Sequence, residues 1–452
     1  MTLSVKAAKE LVEELVGLRD EDNRSLALLH DYARGHQPHP AMLDGVPPEV
    51  QRFVDMSRVN IIDLVVEVLG QSLYVDGYRP NLRSIDARAE SPGWEVWQAN
   101  RMDSRQTGVH RAGFIYGVAY AMVLPGDPVP VIRGYSPRSL TVAYGEDPDW
   151  PVAALHTEPN GQYQTLTLYD AEARYRFTTE GGLVHVDTDE YDYGTGVEPG
   201  VCPVIRFLNV QDLDEDLISE VERLIPIQDQ IDVTTFGLIV AQHYQAFLQR
   251  YIVGWEAKTE AQRMRASASR LWTFEDPEVR VGQFTQAQME PYLKSREDSV
   301  QLGAVISQTP PHHLLGELIN LSAEALAAAE AGHRRKIAQR ETNYGESWEQ
   351  TLQLVELVMG HPVDASSQVR WRDTEARSLA QTVDALGKMA QMLNIPPEAL
   401  WERIPGATQQ DIALWRQLAD QADSLGQLTS ILEAQGLGPR PVAAAPVAEA
   451  GA

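Results

Sequence analysis

The chain has 452 residues, 38 Lys or Arg against 64 Asp or Glu, a formal charge of −26, 43% apolar residues and one cysteine. That length provides for several structural units, while a lone Cys202 excludes an internal disulfide framework and points to a reducing compartment. The charged start MTLSVKAAKELVEELVG lacks a signal peptide's apolar core, the best apolar run (Phe236–Ala241) falls far short of the roughly 18 residues of a membrane span, and the acidic balance argues against a conventional DNA binder with a basic surface.

Leu11, Leu15 and Leu18, then Leu26, Leu29 and Tyr32, recur at helical spacing and predict a helical N-terminal region. Gly35–Pro48 reads as a loop. Val59–Leu73 predicts an apolar helix with Ile61, Val65, Val68 and Leu69 on one face, and Trp94, Trp97 and Thr107–Tyr116 predict two more short helices. From Tyr116 to Leu208 the period shortens to two. Val118–Leu124, Val129–Gly134, Leu140–Tyr144, Val152–Glu158, Tyr163–Tyr169, Arg174–Thr178 and Leu183–Val186 read as one antiparallel meander, with Asn160-Gly161 and Gly181-Gly182 as hairpin turns.

Helix returns over Leu217–Gln249, with Leu217, Val221, Leu224, Ile231, Thr235 and Leu238 on one stripe and Pro226 as a kink or a segment end. A short mixed insert, Arg250–Pro291, holds apolar runs at Tyr251–Gly254, Leu271–Phe274 and Val279–Phe284 around a helix near Thr259–Ala268. Tyr292–Ser307 is helical and stops at Gln308-Thr309-Pro310-Pro311, which reads equally as a rigid stop or as a break that lets a loop move. A long helix starts near Ser322, carries Leu326, Glu330, His333 and Ile337, then Tyr344, Trp348, Thr351 and Val355, bends at Gly345 and ends at Gly360-His361-Pro362. Val369-Arg370-Trp371 reads as a lone strand. The remainder to Ala434 is helical, and the Ala/Pro-rich end of the chain reads as disordered.

Short motifs for chemistry are absent. Gly387-Lys388 is followed by Met389, so there is no phosphate loop, and no Gly-x-Ser-x-Gly elbow occurs. Asp212, Asp214 and Asp216 imitate half of a calcium loop but meet Leu217 and Arg223 where Gly and Glu are needed; they read as the acidic first turn of the following helix, with adventitious divalent-ion binding as the sharper alternative. The pairs His36/His39 and His312/His313 read as loop histidines rather than zinc ligands, and Cys202 as a small buried residue rather than a nucleophile. Nothing selects a catalytic carboxylate pair.

The order of segments, together with several short runs, resembles the portal proteins of tailed bacteriophages, in the branch common among siphophages of actinobacteria. The runs are His30-Asp31-Tyr32-Ala33-Arg34-Gly35; Asn60 followed by Ile61, Val65 and Val66; Gly77-Tyr78-Arg79; Trp94, Trp97 and Asn100; Gly113–Tyr120; Pro203–Asn209; Ser219-Glu220-Val221; and Val369–Asp373 followed by Ser378. The family's second aromatic near the start is Ala33 here. The resemblance implies an α+β portal fold: a wing of helices and β-meander (1–216), a first stem helix (217–249), a small α/β clip (250–291), a second stem helix (292–307), a tunnel loop (308–321), a long helix returning to the wing (322–372), a helical crown (373–434) and a disordered tail (435–452).

It further implies a virion protein at the capsid portal vertex, assembled in the host cytoplasm, that is not an enzyme and needs no cofactor and no membrane. About twelve copies would close by head-to-tail contacts around double-stranded DNA held without sequence preference. The clip, with Trp255, Lys258, Arg263 and Arg265, would dock the terminase large subunit and later the head-completion or adaptor protein; major capsid and scaffolding proteins would meet the outside. Gln308, Thr309, Pro310, Pro311, His312 and His313 would form the loop at the DNA. Arg334, Arg335, Lys336 and Arg340 read as a solvated face or subunit contact, with a DNA-facing basic ring as the sharper alternative. The rival readings are another phage head component, such as a minor capsid protein, and a cytoplasmic hydrolase. In a ring the charge changes meaning: twelve times −26 is −312, and a repulsive wall suits DNA that must slide, because every Lys or Arg phosphate contact strengthens binding by counterion release.

Overall fold

The computed structural model describes residues 2–39, 48–79, 91–194, 200–214, 216–246, 250–253, 280–283, 288–316, 323–372, 379–404, 406–407, 410–419 and 421. The predicted helix at Thr259–Ala268, the run Leu271–Phe274, the clip residues Trp255, Lys258, Arg263 and Arg265, and the tail 435–452 lie outside these residues.

The N-terminal periodicity resolves into one 30-residue helix, α1 (Val5–Arg34), about 45 Å long at 1.5 Å per residue. Ser4 caps its start and Gly35, at φ 72°, closes its end. Its two halves serve different cores. Ala8, Val12 and Leu15 pack on one sheet, whereas Leu26, Leu29, Tyr32 and Ala33 enter the main helical core. A short amphipathic helix that the periodicity did not reveal, α2 (Pro48–Ser57), follows. Asn60 then accepts from the Ile62 and Asp63 amides to start α3 (Ile61–Gln71) while its own amide donates to the Tyr32 and Ala33 carbonyls, so one cap also ties α3 to the end of α1. β1 (Val75–Arg79), α4 (Pro92–Ala99) and α5 (Met102–Tyr116) complete the first helical layer.

The predicted single meander is two sheets. β4 (Leu140–Tyr144), β5 (Pro151–Asn160), β6 (Tyr163–Tyr169), β7 (Ala173–Thr178) and β8 (Val184–Glu190) form an antiparallel five-stranded meander, with both predicted hairpin turns in place: Gly161, Gly181 and Gly182 all have positive φ. β2 (Val118–Leu124), β3 (Val131–Tyr135) and β9 (Val204–Leu208) instead form a separate sheet in the order β3-β2-β9. The reason lies in β2, which is buried on both faces. Ala119, Ala121 and Val123 face the helical core, and Val118, Tyr120, Met122 and Leu124 face the meander. The layers therefore run helices, small sheet, meander and the N-terminal half of α1.

The next helix, α6, spans Ile225–Ala246, so the expected start at Leu217 is corrected. Leu217 is exposed, the chain turns at Glu220 and Val221, and a single 3-10 turn precedes α6. Pro226 therefore falls in the first turn, where its missing amide costs nothing, and does not kink the helix. β10 (Arg250–Val253) pairs antiparallel with β11 (Arg280–Gln283). Then come α7 (Glu290–Ser307), α8 (Pro311–Leu315) and the 36-residue α9 (Ala323–Val358). α9 runs as one helix through Gly345, where the sequence suggested a bend, and stops before Gly360 at φ 75°. Nor is Val369–Trp371 a lone strand. As part of β12 (Gln368–Trp371) it pairs with β1, and Arg370 bonds Asp76 at 2.8 Å across that pair. α10 (Leu379–Leu393) and the 3-10 segment Pro397–Arg403 follow.

The main core is aromatic. Trp97, Phe207 and His110 surround Trp348 of α9, and Tyr344 stacks on His110 with ring centroids 5.3 Å apart. The Trp348 indole donates to His110 Nε2 at 2.9 Å, so the His110 proton sits on Nδ1, toward the Leu73 carbonyl.

Candidate functional site

α6 and α7 pack as an antiparallel pair. A Cβ placed on Gly303 would lie 3.5 Å from Ile227, whereas one on Gly237 would lie 3.2 Å from Tyr292; moving forward along one helix is moving backward along the other. Glycine at 303 permits this approach, since Ile61 also closes to 3.1 Å of that position. Ile61, Ile227, Ile231 and Val300 form the apolar seam.

Two buried polar junctions fix this pair. The first lies along α6. Gln228 donates to the Val59 carbonyl at 2.6 Å and accepts from the Ile61 amide at 3.0 Å. Asp232 accepts from Gln37 and Gln228, both at 2.9 Å, and Tyr32 donates to Asp229 at 2.7 Å. Burial pushes the Asp232 carboxyl above the usual carboxylate range, with these donors opposing the rise. His39 belongs here: it is a loop histidine, but a buried one, 2.9 Å from Ser57 Oγ and edge-on to Phe236.

The second junction is built on Glu220. Its carboxylate is 4% exposed and accepts from Lys336 Nζ at 2.7 Å, from Arg340 Nη2 at 2.8 Å and from Asn209 Nδ2 at 3.2 Å. Its amide donates to the Phe114 carbonyl, and Ser219 before it donates to the Ile115 carbonyl at 2.6 Å. Lys336 Nζ also donates to the Ser307 carbonyl at 2.8 Å, at the C-terminal end of α7. One ion cluster thus joins α5, the end of β9, the segment leading into α6, the end of α7 and α9. Burial alone would raise the Glu220 pKa; the Lys336 ammonium and the Arg340 guanidinium outweigh it and hold the carboxyl below its ordinary value.

This divides the basic cluster read from the sequence. Arg334 and Arg335 are exposed, Arg334 pairing with Glu330 at 3.3 Å. Lys336 and Arg340, 7% and 4% exposed, are neither a solvated face nor a DNA ring but internal counterions of one subunit. Sequence reasoning noted Ser219-Glu220-Val221 only as a run and missed its role. The available signal was α9 itself: Lys336 and Arg340 share the stripe of Ile337, Tyr344 and Trp348, and cations on a core stripe need a buried carboxylate.

After α7, Gln308 adopts φ 53° and Thr309 and Pro310 are buried, while Pro311 and His313 are exposed and His312 is half-buried. The Pro-Pro break starts the short α8, in which the His312 and His313 rings lie 4.3 Å apart. Asp212, Asp214 and Asp216 do not form a helix's first turn, because α6 begins at Ile225; Asp212 instead accepts from the Asp214 amide in a surface loop. Among the described residues no group of three or more His, Cys, Asp or Glu is placed to hold a metal ion, and no helix is long and apolar enough to cross a membrane. Cys202 is buried, and burial pushes its thiol well above the ordinary range, which fits a packing role.

The family description "Phage portal protein, SPP1 Gp6-like" matches residues 57–425. The chain belongs to the phage portal protein family. It is 24% identical to the portal protein of Mycobacterium phage D29 over 405 residues, 83% of this chain and 81% of that one. It is 23% identical to the portal protein of Mycobacterium phage L5 over 403 residues, with the same shares. Among solved structures it overlaps a chain of the virion of a native gene transfer agent particle (TM-score 0.47, 13% identity, 80% of this chain and 97% of that one). It also overlaps a chain of the neck of the native particle computed with C12 symmetry (TM-score 0.45, 14% identity, 78% and 94%). Neither overlap adds to the family assignment. The α+β architecture and the phage portal identity read from the sequence agree with the family match.

Proposed function

We propose that about twelve copies of this chain close into a ring by head-to-tail contacts, at one vertex of the capsid, and that the ring conducts double-stranded DNA without itself catalysing a reaction. The observation that carries this reading is the α6–α7 pair. It is anchored on one side by two buried polar junctions, while the opposite side of α7 leaves Leu302 47%, Val305 71% and Ile306 39% exposed in the single chain. Apolar side chains clustered on a helix end that is rigidly held call for a partner surface, and a neighbouring copy supplies one at every position of a ring.

On this reading α6 and α7 are the stem, 308–321 is the loop at the channel, and 250–291 is the clip that receives the terminase large subunit and later the head-completion protein. The part after Asp373 is a crown toward the capsid interior, with major capsid and scaffolding proteins outside. DNA contact is to the backbone and independent of sequence; the exposed Arg334 and Arg335 are the α9 cations left to make it. The net charge of −26 per chain keeps that contact weak enough for sliding.

The test is native mass and negative-stain imaging of the purified full-length protein. Closed rings of about twelve copies are expected, and Val305→Asp with Leu302→Asp should shift them toward monomer. Monomers or dimers that form no rings on concentration would refute the proposal.

A further inference from the structure

His333, Lys336 and Arg340 follow one another on a single face of α9, and each reaches a different part of the junction. His333 Nδ1 donates to the Gln308 carbonyl at 3.3 Å, Lys336 Nζ to both the Ser307 carbonyl and Glu220, and Arg340 to Glu220. Ser307 and Gln308 end α7, where the last carbonyls have no helical amide to accept from. Side chains of α9 supply those donors, and the carboxylate that holds Lys336 and Arg340 comes from the segment leading into α6.

Among the described residues the segment 308–316 has few other hydrogen bonds. The Gln308 and Thr309 amides bond Val305 and Ala304 behind them, and the His313 and Gly316 amides bond Pro310 and His312 within the segment. Among the described residues the buried Thr309 hydroxyl has no hydrogen-bond partner, Leu314 and Leu315 supply apolar contact with Ile61, Ile227, Ile231 and Val300, and Leu314 also packs on the main core. The carbonyls at the end of α7 are therefore one of the segment's anchors, beside these apolar contacts.

We propose that Lys336 is a positioning residue for the segment 308–316: by holding the Ser307 carbonyl and Glu220 on one ammonium group, it couples that segment to the one leading into α6. The charged and titratable groups facing it are Glu220, Arg340, Arg223 and His333, with His313 beyond His333. Displacing 308–316 draws Ser307 and Lys336 Nζ away from Glu220, and turning the segment leading into α6 draws Glu220 and Nζ away from Ser307, so each movement strains the other contact through the shared ammonium. A consequence for DNA passage rests on the channel reading of 308–321; the contact itself does not.

The test compares Lys336→Met, Lys336→Arg and the triple variant Lys336→Met/Glu220→Gln/Arg340→Met with the parent by hydrogen exchange on the full-length protein. Lys336→Met removes the donor at nearly constant length and leaves Glu220 bonded to Arg340; the triple variant removes the whole buried ion cluster, stranding no charge, should the single one fold poorly. Amides of 308–316 should exchange about tenfold faster or more in both, those of α1 and β5–β7 should be unchanged, and Lys336→Arg should recover part of the protection. Exchange in 308–316 equal to the parent, or a rise shared uniformly by α1 and β5–β7, overturns the proposal. Native mass of the parent tests the ring separately, so failure of the ring and failure of the Lys336 coupling are distinguishable.

Discussion

Glu220→Gln is the most informative single perturbation of this fold. The carboxylate lies 2.7 Å from Lys336 and 2.8 Å from Arg340, and all three side chains are at most 6% exposed. Two surface ion pairs would be worth little, but removing the shared carboxylate strands two buried cations side by side. Loss of one member of a buried ionic cluster costs about 3–5 kcal/mol. The neutral amide also presents hydrogens toward donors that already point at it. Urea unfolding followed by circular dichroism at fixed protein concentration should show a loss of that size in the transition that includes α9. Replacing all three residues together, Glu220→Gln/Lys336→Met/Arg340→Met, should cost less than the single change, because it strands no charge. Acid titration supplies an independent check. The Glu220 carboxyl is held below its ordinary value, so its contribution is complete above about pH 4.3, the unfolded value, and is lost as the pH falls through the lower folded one. The Gln variant should lack that component. A Glu220→Gln protein within about 1 kcal/mol of the parent, a typical surface effect, with unchanged acid sensitivity, would show that the cluster is not the anchor argued above.

Two further outcomes follow from the main core. A Cβ on Gly113 would clash with the Tyr344 hydroxyl, which is buried and, among the described residues, without a hydrogen-bond partner; Gly113→Ala should destabilise by about 1–3 kcal/mol despite its better helix propensity, and adding Tyr344→Phe should restore most of the loss. Equal stability of Gly113→Ala and the parent, in the same urea assay, would refute that packing. His110 is fully buried, and burial pushes its pKa down to about 3. The folded state therefore binds fewer protons than the unfolded chain below about pH 6.5, and stability should fall with acidification by up to about 1.4 kcal/mol per pH unit. His110→Gln should flatten the slope between pH 6.5 and 5; an unchanged slope would exclude His110 as its source.

Local pattern carries much of this protein. The alternation of Tyr163–Tyr169 and the Asn160-Gly161 pair define a hairpin whose register, Asn160 opposite Tyr163, follows from the turn. Asn60 before Ile61 marks α3, and Gly360 marks the end of α9, because caps and positive-φ positions are decided by a few neighbouring residues. The ordered runs from His30 to Ser378 were sufficient to suggest the portal family before any contact was known, since segment order is itself a property of the sequence. Partnership between distant segments is not. That Val369 stands opposite Tyr78, that β2 joins β9 and leaves the meander, and that Lys336 faces Glu220 all depend on which long-range closures the whole chain makes at once. A lysine on a helix has the same local propensity whether it meets water or a buried carboxylate. Only packed tertiary structure, by removing water from Lys336 and Arg340 and bringing Glu220 to them, turns an expected surface patch into the internal joint between the α6–α7 pair and the rest of the subunit.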